Sequence, residues 1–255
     1  MDSLTAADGT EIWYSTHGDR SCPAIFLGPH FYASFGRSEG DDTSLWINGL
    51  KEEFFLIVAD YPRGFGRTGN PLGLAFTPDV ASEEYCRIAD AAGAGQFGWV
   101  GYSYGGAIGV QVACRSGRVA ALAVGGFPPL NAPFQEMAKI STQMAAESSA
   151  SAEANQKLLW SAAGFYTPLT DWPEYDQVTM LAMPRMTFIG TEDVGVPLHG
   201  VDLPLAATVR TAAPALNKLG WEIEWLHGQD HLSAVGAAVS LPVVRDFFRR
   251  ALTVD

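Results

Sequence analysis

The sequence predicts an α/β protein: a mostly parallel sheet flanked by helices, with a helical segment inserted between two of its strands. Three observations carry that reading. Short apolar runs rich in branched and aromatic side chains alternate with stretches of helical period. A glycine-rich strand-to-helix junction occupies residues 96–114, where "QFGWVGYSYGGAIGVQVAC" turns from one pattern to the other. Strand signals then stop over about 128–184 and resume afterwards.

Taken in order, residues 4–6 and 11–15 flank Asp8-Gly9, a hairpin-turn signal between two short strands. "AIFL" at 24–27 and "FLIVA" at 55–59 have the apolar texture of strands buried on both faces. Residues 78–92, "PDVASEEYCRIADAA", read as a helix with proline in its first turn and acids early, where the helix dipole favours them. A strand over 97–100, a helix over about 105–114 and a strand over 119–124 follow. "QEMAKISTQMAAESSASAEANQKLLWSAAGF" is alanine-rich and helical in preference, and "YTPLTDWPEYD" is irregular and aromatic. Strands resume with "RMTFI" at 185–189 and "WEIEWL" at 221–226, and an amphipathic helix over about 232–251 closes the chain. There is no internal repeat.

The length, 255 residues, suits one large domain, and 47% hydrophobic against 17% charged residues describes a chain that folds. A net charge of −12 argues against nucleic acid and anionic membrane surfaces as partners, since both call for a basic footprint. Cys22, Cys86 and Cys114 have neither metal-ligand spacing nor an even count, which fits a reducing cytoplasm. No signal peptide or membrane-length apolar run is seen. The expected location is cytoplasmic, with no metal and no organic cofactor; oligomeric state is not legible.

Two pentapeptides fit the pattern G-x-S-x-G: Gly36-Arg37-Ser38-Glu39-Gly40 and Gly101-Tyr102-Ser103-Tyr104-Gly105. Ser38 lies in a polar loop beside Glu39, Asp41 and Asp42, with no strand leading in and no clear helix leaving. Acids there oppose the negative charge a nucleophilic oxygen develops. Ser103 has a strand before it and a helix after it. A turn that tight strains its apex residue and needs small neighbours, which Gly101, Gly105, Gly106 and Ala107 provide. It lifts the hydroxyl to the carboxyl edge of the sheet at a helix N-terminus, with the Tyr104 N–H beside the place an oxyanion would form.

A serine hydroxyl needs a base, and the base an orienting acid. After this kind of turn the chain order is serine, acid, histidine. Glu192 and Asp193 follow the strand at 185–189, and His227 and His231 follow the strand at 221–226. All three residue types therefore fall at carboxyl ends of parallel strands in the required order.

The pieces "GYSYGG", "DYPRGFGRTG" at 60–69, "GTEDVGVP" at 190–197 and "DHLSA" at 230–234 resemble the α/β-hydrolase superfamily over nearly the whole chain outside 128–184. The resemblance implies the α/β-hydrolase fold, with 1–127 and 185–255 as the two parts of the core domain and 128–184 as a helical cap. It implies Ser103 as nucleophile, Asp193 as orienting acid and His231 as general base. Where many relatives carry His-Gly and an aromatic residue, this chain has "GPHFYAS", so Pro29-His30 precedes Phe31 as the second oxyanion donor beside Tyr104. His30, Tyr102, Trp160 and Phe165 are candidates to touch substrate. Arg63, Gly64, Gly66 and Asp60 read as scaffold.

The expected activity is cleavage of a small, largely apolar carboxylic ester or lactone through an acyl-enzyme. The alternatives are carbon–carbon bond hydrolysis or perhydrolysis by the same triad, or a receptor-like ligand-binding protein with little turnover. The acidic stretch 39–42 is expected near the entrance, disfavouring anionic substrates.

Overall fold

The computed structural model describes residues 1–29, 42–64, 66–70, 75–147, 161–195, 201 and 203–252. Eight strands form one sheet: β1 (Asp2–Thr5), β2 (Glu11–His17), β3 (Ala24–Leu27), β4 (Phe55–Ala59), β5 (Phe97–Tyr102), β6 (Val119–Gly125), β7 (Arg185–Gly190) and β8 (Trp221–Leu226). Their order across the sheet is β1-β2-β4-β3-β5-β6-β7-β8. β1 and β2 join antiparallel, and every pairing from β4 onward is parallel. All the parallel strands therefore point their carboxyl ends to one edge, where loops from several strands meet.

Helices cover both faces. α1 (Asp42–Leu50) and the last helix, α7 (Ala237–Leu252), pack on one side, burying Trp46, Leu50, Val244, Phe247 and Phe248 against Ile25, Leu56, Val58 and Val100. On the other side α2 (Pro78–Ala92) and α3 (Tyr104–Ser116) pack against Phe26, Ile57 and Trp99, and α6 (Leu205–Lys218) packs against β8. The alternation follows the two-residue period of a strand: Ile25 and Leu27 face one layer, Phe26 the other. α2 shows how local chemistry sets an element's limits. The Thr77 hydroxyl accepts from the Val80 N–H, Pro78 stands at the first turn, and Gly93 closes the helix at φ +83°.

Between β6 and β7 the described residues form no strand. They comprise α4 (Phe134–Glu147), a helical turn at 161–166, a 3-10 turn (Thr167–Leu169) and the short α5 (Glu174–Thr179). Phe134, Tyr166 and Trp172 pack together here, and Phe165 stacks on Phe76 at 5.8 Å.

The differences from the sequence reading have local causes. β5 runs on to Tyr102 and α3 begins at Tyr104, because glycines weaken propensity without preventing either element. α1 begins at the end of the acidic stretch 39–42, whose sequence shows no clear helix. Its pattern is interrupted by Gly49, where a Cβ would lie 2.3 Å from Leu241 of α7. α6, with Pro214 inside it, gave no clear signal either. The last helix starts at Ala237 rather than 232, since residues 231–236 make the turns that carry His231.

Candidate active site

Between β5 and α3 the chain turns on a single residue. Ser103 has φ 50° and ψ −115°, a conformation non-glycine residues rarely adopt, at a cost of about 1–3 kcal/mol. The surroundings hold it there. The Ser103 N–H donates to the Gly125 carbonyl at 2.8 Å, and the Trp99 indole N–H to the Gly105 carbonyl at 3.1 Å. A Cβ at Gly101 would lie 2.1 Å from the Gly105 oxygen, and one at Gly105 would lie 2.1 Å from the Pro29 oxygen. Both contacts are backbone, so the turn closes only with glycine at these two places.

Asp193 stands three residues beyond β7. Its N–H donates to the Gly190 carbonyl at 3.2 Å, and its carbonyl accepts from Ala206 at the start of α6 at 2.9 Å. The side chain is fully buried, and Oδ1 accepts the Gly195 N–H at 2.8 Å. His231 lies on the turn after β8. Asp230 shapes that turn by accepting from the Leu232 and Ser233 N–H groups at 3.1 and 2.8 Å. Those two donors and the Ser233 hydroxyl hold the Asp230 carboxyl below its ordinary range.

The three side chains form one hydrogen-bonded line. His231 Nε2 is 3.1 Å from Ser103 Oγ, and Nδ1 is 3.0 and 2.9 Å from Asp193 Oδ1 and Oδ2. Histidine is 7% exposed and aspartate 0%, so little water screens the pair. Neither neighbouring alternative joins the line. The side chains of Glu192 and His227 are exposed.

Tyr104 is the first residue of α3, where backbone N–H groups lack intrahelical partners. Its hydroxyl meets the Ser161 hydroxyl at 3.2 Å, joining the turn to the 128–184 segment. Phe165 is fully buried, edge-on to Tyr104 at 5.4 Å. Tyr102 is buried beneath the site, its hydroxyl donating to the His231 carbonyl at 2.7 Å. That long-range contact had no signal in the sequence. His30, Phe31, Trp160 and Ser38 lie outside the described residues, as does the acidic stretch apart from the backbone of Asp42. Arg63 is buried away from the line. It bonds Glu84 of α2 and, at 2.5 Å, Asp8 of the β1–β2 turn. Asp60 accepts the Arg67 N–H at 3.0 Å.

Among the described residues no group of three or more His, Cys, Asp or Glu could hold a metal ion, and no helix is long and apolar enough to cross a membrane.

A family model described as the alpha/beta hydrolase fold matches residues 35–159. No curated protein matches the chain. Among solved structures, a carboxylesterase of the ammonia-oxidizing thaumarchaeon Nitrososphaera gargenis aligns with a TM-score of 0.70 at 16% identity, over 98% of this chain and 99% of that one. The enol-lactonase from Burkholderia xenovorans LB400 aligns at 0.68 and 18% identity, over 97% and 100% of the two chains. A variant of the meta-cleavage product hydrolase from Pseudomonas fluorescens IP01 aligns at 0.61 and 20% identity, over 98% of each. Sheet order, strand-to-helix turn and family match agree: the chain has the alpha/beta hydrolase fold. At these identities the structural neighbours speak for the fold alone.

Proposed function

We propose that the chain is a serine hydrolase acting on a small, largely apolar carboxylic ester or lactone in the cytoplasm. One observation carries the proposal: the unbroken line Ser103–His231–Asp193, whose hydroxyl, imidazole and buried carboxylate stand within hydrogen-bond reach of one another. In this reading His231 Nε2 takes the Ser103 proton as Oγ attacks the substrate carbonyl. Asp193 holds Nδ1–H and stabilises the imidazolium. The Tyr104 and Phe31 backbone N–H groups receive the oxyanion, at a helix N-terminus whose dipole favours it. His231 then gives its proton to the leaving alcohol, and water repeats the sequence on the acyl-enzyme.

Residues 128–184 are proposed as a cap over the site. The contacts of Tyr104 with Ser161 and Phe165 support this, since they tie the segment to the residue beside the nucleophile. The aromatic texture of that segment favours an apolar acyl or alkyl group over a charged one. Cys22, Cys86 and Cys114 are unpaired, in keeping with a reducing compartment.

Nitrophenol release from an acyl chain-length series, with wild type beside Ser103→Ala, tests the reading. Turnover by wild type and a loss on the order of a million-fold in the variant are expected. Equal activity of the two would end the proposal. The meta-cleavage neighbour makes carbon–carbon hydrolysis by the same line the second reading. Vinylogous diketones turned over where every ester fails would favour it.

A further inference from the structure

We infer that Tyr102 is a positioning residue of this site, fixing the main chain of His231 so that the imidazole stays between Ser103 and Asp193; the inference rests on the hydrolase reading above. Tyr102 ends β5, whereas His231 follows β8, and both β6 and β7 lie between those strands. The phenol crosses that gap beneath the site. It passes through a slot that exists because β6 ends in Gly125 and a second glycine, Gly126, follows it. A Cβ at Gly125 would lie 2.5 Å from Tyr102 Cδ2, and one at Gly126 would lie 2.4 Å from Tyr102 Cζ. Phe188 of β7 lies against the ring with centroids 6.1 Å apart.

At the far end the hydroxyl donates to the His231 carbonyl at 2.7 Å, and the ring lies 5.2 Å from the imidazole, tilted by 50°. With 2% of its surface exposed, the residue is a strut in the floor rather than a wall of the pocket. Burial first, then the charges of Asp193 and Asp230, push its ionisation far above the ordinary range, so it remains a donor wherever the protein is folded.

The tether matters because it acts on the main chain of His231 itself, whereas the loop's other bonds fall on its neighbours: Gln229 accepts from the Glu192 N–H at 3.0 Å, and the Asp230 carboxylate from the Leu232 and Ser233 N–H groups. His227, Asp230 and Leu232 are all exposed. Asp193 and Ser103 meet the imidazole at its two nitrogens, but neither bond fixes the main chain that carries the ring. A displacement of about 1 Å at the reacting atoms is worth on the order of a hundredfold in rate.

Tyr102→Phe keeps the ring and removes the donor. For a nitrophenyl ester we expect kcat to fall about tenfold, the worth of one buried hydrogen bond, with KM held within about twofold. The low-field proton resonance of His231 Nδ1 should also broaden or move. That resonance is read on the resting protein, so it separates the two claims. If Ser103→Ala leaves hydrolysis untouched, the hydrolase reading falls while the resonance still decides the role of Tyr102. Unchanged kcat with an unmoved resonance overturns the inference. A raised KM at unchanged kcat overturns it too, because the ring would then be a substrate contact. If the phenylalanine variant does not fold, 3-fluorotyrosine at position 102 retains the packing and strengthens the donor. The His231 resonance must then shift, and an unmoved one overturns the inference.

Discussion

Replacing Asp193 by asparagine changes one atom in the line and reverses its logic. Asp193 Oδ1 accepts the Gly195 N–H at 2.8 Å, a bond only an oxygen can make. The asparagine amide is therefore held with its oxygen toward Gly195 and its NH2 toward His231. Nδ1, 2.9–3.0 Å away, must then accept rather than donate. The ring proton moves to Nε2, which faces Ser103 Oγ at 3.1 Å, and in the proposed mechanism His231 can no longer take the serine proton. The site is fully buried at residue 193, so no water relieves the mismatch. A wrong tautomer of this kind lowers kcat on the order of 10⁴-fold in a serine hydrolase, about 5 kcal/mol of transition-state stabilisation. The assay is ester turnover beside wild type, with circular dichroism to show that the variant is folded. Retention of more than about a tenth of kcat would refute the reasoning, since an orienting acid cannot be dispensable.

Two further outcomes follow from the scaffold. The Arg63 guanidinium and the Thr10 N–H hold the Asp8 carboxyl down from 3.8 to about 2. With the folded value below the unfolded one, its stabilisation is present above about pH 4 and lost as pH falls toward 2. Urea midpoints of Asp8→Asn should lack that part of the acid slope, and identical slopes would count against it. In Gly105→Ala the new methyl would meet the Pro29 carbonyl oxygen at 2.1 Å. Backbone on both sides has nowhere to go, so a stability loss of about 1–3 kcal/mol and ester turnover reduced by at least about a hundredfold are expected. Denaturant melts and kcat measure the two, and wild-type values for both would contradict the close approach.

The sheet was legible because its central strands are buried on both faces and carry apolar runs, "FLIVA" of β4 being the clearest. The turn at Ser103 was legible because strand, glycines and helix are contiguous in the chain. What resisted reading is what depends on distant partners. Gly49 makes sense only against Leu241, so α1 shows no clear pattern by itself. The Tyr102 hydroxyl finds its acceptor 129 residues away, and no local period marks such a contact. Between Glu192 and Asp193, or His227 and His231, composition cannot choose. Burial separates them, because only one of each pair turns inward from its loop.

The order of the strands also fixes when the chemistry can begin. Ser103 is made early, 128 residues ahead of the histidine it meets, and Asp193 also belongs to the last quarter of the chain. A nascent polypeptide grows from its N-terminus. The strained turn can therefore form long before any base reaches it, and a serine without one is a poor nucleophile. On the proposed reading, synthesis thus yields an inert half-product until β8 is laid down at the sheet's edge and its turn brings His231 into place. A ribosome-stalled chain ending before β8 would carry the serine yet leave surrounding esters intact.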